Sequence, residues 1–425
     1  MSKDFDILIV GGGPAGMMAA ISAREHDPNG KLTIAIVEKN ESLGKKLLIT
    51  GGGRCNVTNA QFDNRKLLEK FGEAGKFLFS TFSEWNSEDT INFLNGRGLG
   101  TKIENELRAF PITDSAQSVW NVLVQELAIK KIEIISNTPV SKIERSENGA
   151  YTVSSKSGST FTAHKVILAT GGTSRPETGS TGDGYAWAKK LGHTIHTPIP
   201  SLVPLKIKDA WIKNVAGVSL PLVKITTFQF GKKCQSVRGK ILFTHVGVSG
   251  PTILNMSKHV GELLGYGDVI IELDLVPELD YGKLNQKLQD IFKVNANKMF
   301  KNSIGDIVPT TLAPIIVKLS GINPEIQCNS ITREERLHCV KVLKHLQITV
   351  DSLLGTDKAI ITSGGVELTE IDFKKMESLK SPGLYIIGDM LNINRPSGGY
   401  SLQLCWTTGF VAGQHAANQA LLLKV

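Results

Sequence analysis

Residues 49–59, ITGGGRCNVTN, run three glycines straight into a cation, a thiol and an amide: Arg54, Cys55 and Asn56. Bare backbone beside three reactive or polar groups suits a loop that lies against a ligand. A second set opens the chain, where Gly11-x-Gly13-x-x-Gly16 follows the apolar run DILIV and leads into the helical pattern PAGMMAAISAREH. In that context Gly11 permits a tight turn, Gly13 lets backbone approach a pyrophosphate, and Gly16 lets the helix pack on the sheet. The helix N-terminus then offers free N–H groups and partial positive charge to phosphates. Glu38, 22 residues beyond Gly16 at the end of LTIAIVEK, is placed to accept hydrogen bonds from ribose hydroxyls and would repel a 2′-phosphate.

A third stretch separates NAD from FAD. GLYIIGDMLN (383–392) reads as a strand ending in Gly388-Asp389, and PSGGYSLQLCWTTGFVAGQHAA as a glycine pair, including Gly399, leading into an apolar helix. A cofactor reaching from the first βαβ unit to this terminal strand and helix would present a flavin there. Asp389 would hold ribityl hydroxyls, and the N–H groups at Tyr400, Ser401, Leu402 and Gln403 would face the ring's O2 and stabilise negative charge in its reduced form. Thr170, Gly171 and Gly172, after KVILA, are expected to close over the nucleotide.

The elements that must position these residues follow from periodicity. Residues 6–38 read as strand, glycine turn, helix and strand; SVWNVLVQELAIK is helical, and YTVSSKS and TFTAHKVILAT are strands. Asp183, between glycines at a helix start, is expected as an N-cap. Around Pro198–Pro204 the texture changes to proline-punctuated strands, PLVKITTFQF and CQSVRGKILFTH. A helical pattern follows from about Pro277 to Leu346, and AIITSGGVEL returns to strand and glycine. The map is a nucleotide-binding domain of residues 1–195 and 360–425, a β-rich domain of 196–275 and 347–359, and a helical insertion of 276–346.

The 425 residues are 41% hydrophobic and 21% charged, ample for large cores. An initial apolar run of four residues is too short for a signal peptide, no stretch is long enough to span a membrane, and a cytoplasmic protein is expected. Five cysteines show no CxxC pair or metal-type spacing with histidine, so neither a disulfide framework nor a metal site is expected. The net charge of +8 is confined: residues 196–259 hold nine basic residues against Asp209 alone, and 9 − 1 equals the whole excess. Such a segment is either a solvated lysine face or an anion-binding surface.

GGGPAGMMAA, GKKLLITGGGRCNVTN, ATGGTSRPETGSTGDGYAWAKKLGH, FTHVGVSGPTIL, SGGVELTEI, LYIIGDMLN and GGYSLQ together resemble the HI0933-like, or aminoacetone oxidase, family of FAD-binding flavoproteins, nearly end to end. The resemblance implies an α/β fold: a two-dinucleotide-binding-motif, Rossmann-like FAD domain interrupted by a β-rich domain and a small helical domain. It also implies that GGGRCN passes the pyrophosphate and runs along the flavin, with Arg54, Cys55 and Asn56 lining the ring or substrate side, and adds Pro14, Ala15, Lys39, Lys46, Gly53 and Val140 as cofactor contacts. The chain departs from the family's usual wording at Asp389, Asn392 and Ser401, and INRPS replaces a glycine-containing link.

On that footing Cys55 is a candidate proton donor beside hydride transfer, or a small packed residue; His245 in FTHVGVSGP is the other candidate, or structural. No second strand–GxGxxG–helix unit exists, so an NAD(P)H reductant would have to borrow the substrate cavity. Three functions stand. One is a reductase of an activated C=C bond, the uracil of ribosomal RNA, bound through residues 196–259, because the family includes ribosomal RNA dihydrouridine synthase-like members. The second is a small-molecule amine oxidase of the aminoacetone type; the third, a flavin-bearing RNA-binding factor without turnover.

Overall fold

The computed structural model describes residues 2–424. It divides into two compact units, Met1–Pro200 with Ala359–Val425, and Ser201–Lys358.

The first unit is built on a parallel sheet whose central strands are β1 (Ser2–Val10), β2 (Ile34–Val37), β3 (Glu133–Ile135), β4 (Thr160–Leu168) and β5 (Leu384–Ile386), in the order β5-β4-β1-β2-β3. Where both faces of the sheet are covered the strands are apolar without alternation: IAIV of β2, ILIV at the end of β1 and VIL at the end of β4 are buried throughout. Helix α1 (Pro14–Glu25) follows β1, and the long helix α2 (Tyr400–Leu422) closes the chain. Register decides what the sheet presents. Val10 pairs with both Val37 and Leu168, and Leu168 pairs with Ile386, so β2, β1, β4 and β5 end level with one another. The residues just beyond those ends, Gly11, Glu38, Ala169 and Ile387, therefore emerge along one edge. In open parallel sheets this carboxyl edge is where ligands bind.

The second unit is a closed six-stranded barrel of Leu205–Ile207, Gly247–Ser249, Lys232–Phe243, Ser219–Gln229, Val269–Asp274 and Leu346–Leu353. Alternation places one face of each strand inside, as in VIIELD, where Val269, Ile271 and Leu273 are buried. The sequence reading separates a β-rich from a helical domain here. In the structure, Leu284 and Leu288 of helix Tyr281–Val294, Ile316 of Ala313–Ser320 and Val340 and Leu343 of Arg333–Lys344 share one buried cluster with Ile271 and Ile348 of the barrel. The amphipathic helices bury their apolar stripes on the barrel, which merges the two into one body. Among the described residues no helix is long and apolar enough to cross a membrane.

Candidate cofactor and active site

The glycine turn after β1 is shaped by contact. A side chain on Gly16 would place Cβ 2.0 Å from the Gly11 carbonyl oxygen, so only glycine lets α1 start this close to β1. Gly13 differs: its backbone is extended and a Cβ there would meet nothing within 4 Å. The space in front of Gly13 is open, and α1 begins behind it with Pro14 at its start, no side-chain cap and no acidic residue in its first turn. That opening has the positive character a pyrophosphate requires. Glu38 is buried beside it, accepting the Gly12 N–H through Oε2 at 2.7 Å and the Asn40 N–H through Oε1 at 2.8 Å. Thr138 donates its N–H to the Glu38 carbonyl, which brings the segment before Val140, itself buried, to the same end. Lys39 reaches the side of the site, with Nζ 2.9 Å from Asp183 Oδ2. Asp183 is not the expected N-cap: Gly182 holds that position, and the carboxylate is taken by Lys39 and Thr181.

The turn after β4 closes on the glycine turn: a Cβ on Gly11 would lie 2.6 Å from the Ala169 oxygen. Gly172 is packed against Thr362, whose Oγ1 accepts the Thr173 and Ser174 N–H groups. Lys46 points into the same region, with Nζ 3.4 Å from Ser174 Oγ. Burial pushes its ammonium below the ordinary lysine range, against the opposing pull of Asp389.

The GGGRCN loop has the geometry its glycines suggest and a different use for its side chains. Gly51, Gly52, Gly53 and Cys55 all adopt positive φ (56°, 68°, 88° and 62°), a run that ordinary residues resist. Gly52 and Gly53 face open space. Cys55, expected on the ring or substrate side, has no exposed surface and belongs to the core cluster; burial pushes its thiol up to about 12. Arg54 turns to protein carboxylates, with Nε 2.9 Å from Asp114 Oδ1, Nη1 3.2 Å from Glu104 Oε2, and its guanidinium 4.1 Å from the Phe110 ring centroid. Asn56, oriented to satisfy its neighbours, donates to the Ala109 and Thr58 oxygens and accepts the Gly399 N–H at 3.0 Å. The loop therefore seats the start of α2: a Cβ on Gly399 would fall 2.3 Å from the Thr58 carbonyl carbon. Gln403 is likewise locked internally, accepting from Thr58 Oγ1 at 2.6 Å and Thr90 Oγ1 at 3.0 Å.

At the end of β5, Gly388 donates its N–H to Thr408 Oγ1 of α2, and a Cβ there would stand 3.1 Å from Ala15 Cβ. The ends of β5, α1 and α2 thus converge. Tyr400 is buried at the first position of α2, followed by Ser401 and Leu402 in a first turn without an acidic residue. Asp389, expected to hold ribityl hydroxyls, accepts from Arg395 Nη2 through Oδ1, and Ser401 Oγ accepts from Arg395 Nε at 3.0 Å. Arg395 is the residue sequence reasoning missed. It is the one Asp, Glu, Lys or Arg between Asp389 and Lys424, but nothing local in the sequence assigns it a partner.

His245 lies in the barrel unit, exposed between Lys232–Phe243 and Gly247–Ser249. In the basic segment, Lys206, Lys208 and Lys258 pair with Asp351, Asp268 and Glu262. Lys224 and Arg238 sit directly opposite each other in strand register, and among the described residues neither has an ion-pair partner.

A model of the HI0933-like protein Rossmann domain matches residues 5–415. The chain belongs to the HI0933-like family. It is 31% identical over 412 residues to a 3-dehydro-bile acid delta(4,6)-reductase of Clostridium scindens, covering 97% of this chain and 98% of that one. It is 27% identical over 415 residues to a ribosomal RNA dihydrouridine synthase of Escherichia coli, covering 96% and 97%. Among solved structures, a flavocytochrome c3 fumarate reductase in an open conformation shares the fold, with a TM-score of 0.54, 17% identity and coverage of 99% of this chain and 79% of that one. This HI0933-like protein is an FAD-dependent oxidoreductase. Its residues fit that cofactor: the opening at Gly13, Glu38 at the end of β2, and the cations at the foot of α2 match the diphosphate, ribose and ring of FAD in charge and order along the edge.

Proposed function

We propose that this protein reduces a C=C bond conjugated to a carbonyl, and that its substrate is a uracil ring in ribosomal RNA. Bound FAD supplies hydride transfer to the β-carbon of such a bond; an adjacent carbonyl makes that carbon electrophilic. Two relatives carry names with this chemistry in common: delta(4,6) reduction of a 3-oxo bile acid, and conversion of uridine to its 5,6-dihydro form. The observation that carries the reading is the fully buried Arg395 at the start of α2, with the partly exposed Lys46 drawing on the same Asp389, a set of cations that suits a ring that must hold negative charge when reduced. The chain's own part is to hold the cofactor and to keep the ring's surroundings positive. Cys55, sealed in the core, is assigned packing.

RNA is favoured over a small dienone by the barrel hairpin. Like charges directly opposite on a sheet are destabilising; Lys224 faces Arg238 on one side and Asp274 on the other, which leaves Arg238 as the cation that a phosphate lying across the hairpin would complete. We assign the reductant to a small hydride donor, NAD(P)H being the simplest. Mass spectrometry of ribosomal RNA from cells with and without the gene tests the substrate. A uridine two daltons heavier only when the gene is present supports it. Identical RNA with turnover of a 3-oxo-4,6-diene acid would move the substrate to the steroid class, and peroxide formation from aminoacetone would favour the amine oxidase reading.

A further inference from the structure

Arg395 has a side chain with no exposed surface, and a guanidinium does not shed its proton on burial. Its guanidinium donates to Ser401 Oγ from Nε at 3.0 Å, to the Ile393 oxygen from Nη1 at 2.8 Å, and to Asp389 Oδ1 from Nη2. Asp389 is also the foremost opposing charge acting on Lys46. Asp389 thus serves both the fully buried Arg395 and the partly exposed Lys46, on which Glu177 acts in the same sense. Because Lys46 draws on the same carboxylate, Asp389 offsets the Arg395 charge only in part, and an anion beside the pair is favoured. Helix α2 acts in the same sense, since its first turn carries neither an acidic residue nor a side-chain cap.

We infer that Arg395 supplies the fixed positive charge that holds negative charge on the reduced flavin ring. A ring that accepts a hydride equivalent, two electrons and one proton bound at N5, is left with negative charge over N1 and C2=O. A guanidinium tied to the foot of α2 through Ser401 favours that form and raises the tendency of the cofactor to be reduced. The inference rests on FAD occupancy alone and holds for any substrate, so its test is separate from the test of the C=C reductase reading. The competing role for the same contacts is a staple joining Asp389, Ile393 and Ser401 with no electronic effect.

Sulfite titration of the oxidised holoenzyme, paired with the midpoint potential, separates the two. Sulfite forms a bond to flavin N5 and leaves the same negative charge on N1 and C2=O, with no substrate or turnover involved. In R395Q that retains FAD, sulfite affinity should fall at least tenfold and the potential should drop; a tenfold change in the reduction equilibrium is about 30 mV for a two-electron couple. R395K, which keeps the charge, should restore most of both. D389N removes the opposing carboxylate and should move both readouts the other way, tighter sulfite and a higher potential, which keeps the test decisive if R395Q loses its flavin. Unchanged sulfite affinity and potential in D389N, or in flavin-bearing R395Q, would overturn the inference and leave a staple.

Discussion

Gly12 donates its backbone N–H to Glu38 Oε2 at 2.7 Å, so the glycine turn after β1 and the carboxylate that ends β2 form one assembly. The level ends of β1 and β2 bring them together, and two neighbouring glycines in that assembly have separable tasks.

Gly13→Val should fold and lose its flavin. A Cβ at Gly13 meets nothing within 4 Å and the backbone is not left-handed there, so the side chain fills only the opening assigned to the diphosphate. Gly16→Val should instead lose about 1–3 kcal/mol or more of stability through overpacking, because its Cβ falls 2.0 Å from the Gly11 oxygen. Thermal melts and released-FAD absorbance distinguish them. Full flavin content in folded Gly13→Val would remove the diphosphate from this turn.

Cys55→Ala should keep FAD and lose less than the ~10²–10⁴-fold in rate that removal of a general acid costs. With its thiol pushed up to about 12 and no exposed surface, Cys55 should also resist iodoacetamide at pH 8, while exposed Cys234 is alkylated. Peptide mapping after labelling reads both residues in one experiment.

Arg238→Glu should weaken RNA binding while stabilising the barrel. It converts the like-charge pair with Lys224 into an opposite-charge pair, worth roughly 0.2–1 kcal/mol. Affinity for ribosomal RNA should show a log–log salt slope of about 0.7–0.9 per phosphate contact, reduced in this variant and in a Lys232→Glu, Lys233→Glu double variant. Identical salt curves for all three proteins would make the charge a solvated face.

His193 sits with Nδ1 3.0 Å from Glu370 Oε2 and Nε2 2.7 Å from Ser378 Oγ. Ser378 Oγ already accepts the Lys380 and Ser381 N–H groups, so its proton points at Nε2 and the imidazole is neutral with its N–H on Nδ1. Burial pushes His193 below its ordinary value, outweighing Glu370. The unfolded chain therefore takes up a proton near pH 6.5 that the fold refuses until lower pH, and stability falls as pH drops through that value. Melting temperature should decline from pH 7.5 to 5.5 more steeply in the wild type than in His193→Gln. Parallel curves would assign the decline to other groups.

Motifs defined by backbone were legible in the sequence. Gly11, Gly13 and Gly16, the paired Gly171-Gly172 and the Gly388 strand end announce turns, and apolar runs announce buried strands, so the sheet and its ligand edge follow from local rules. Side-chain roles were not, because partners distant in sequence decide them. Arg54 faces Glu104 and Asp114 across a small antiparallel sheet, and Asn56 meets Gly399 over some 340 positions. Nothing local to GGGRCN reveals that its thiol turns inward. Arg395 was hidden for the same reason: its meaning lies in Asp389 and Ser401, which only the fold sets around it.

The most direct measurement is anaerobic mixing of the fully reduced holoenzyme with unmodified ribosomal RNA, following flavin absorbance and RNA mass together. Reoxidation of one flavin for each uridine that gains two daltons is the expected result. Flavin that stays reduced with RNA and with a 3-oxo-4,6-diene acid, yet is reoxidised by oxygen after turnover of an amine, would contradict a conjugated C=C reductase.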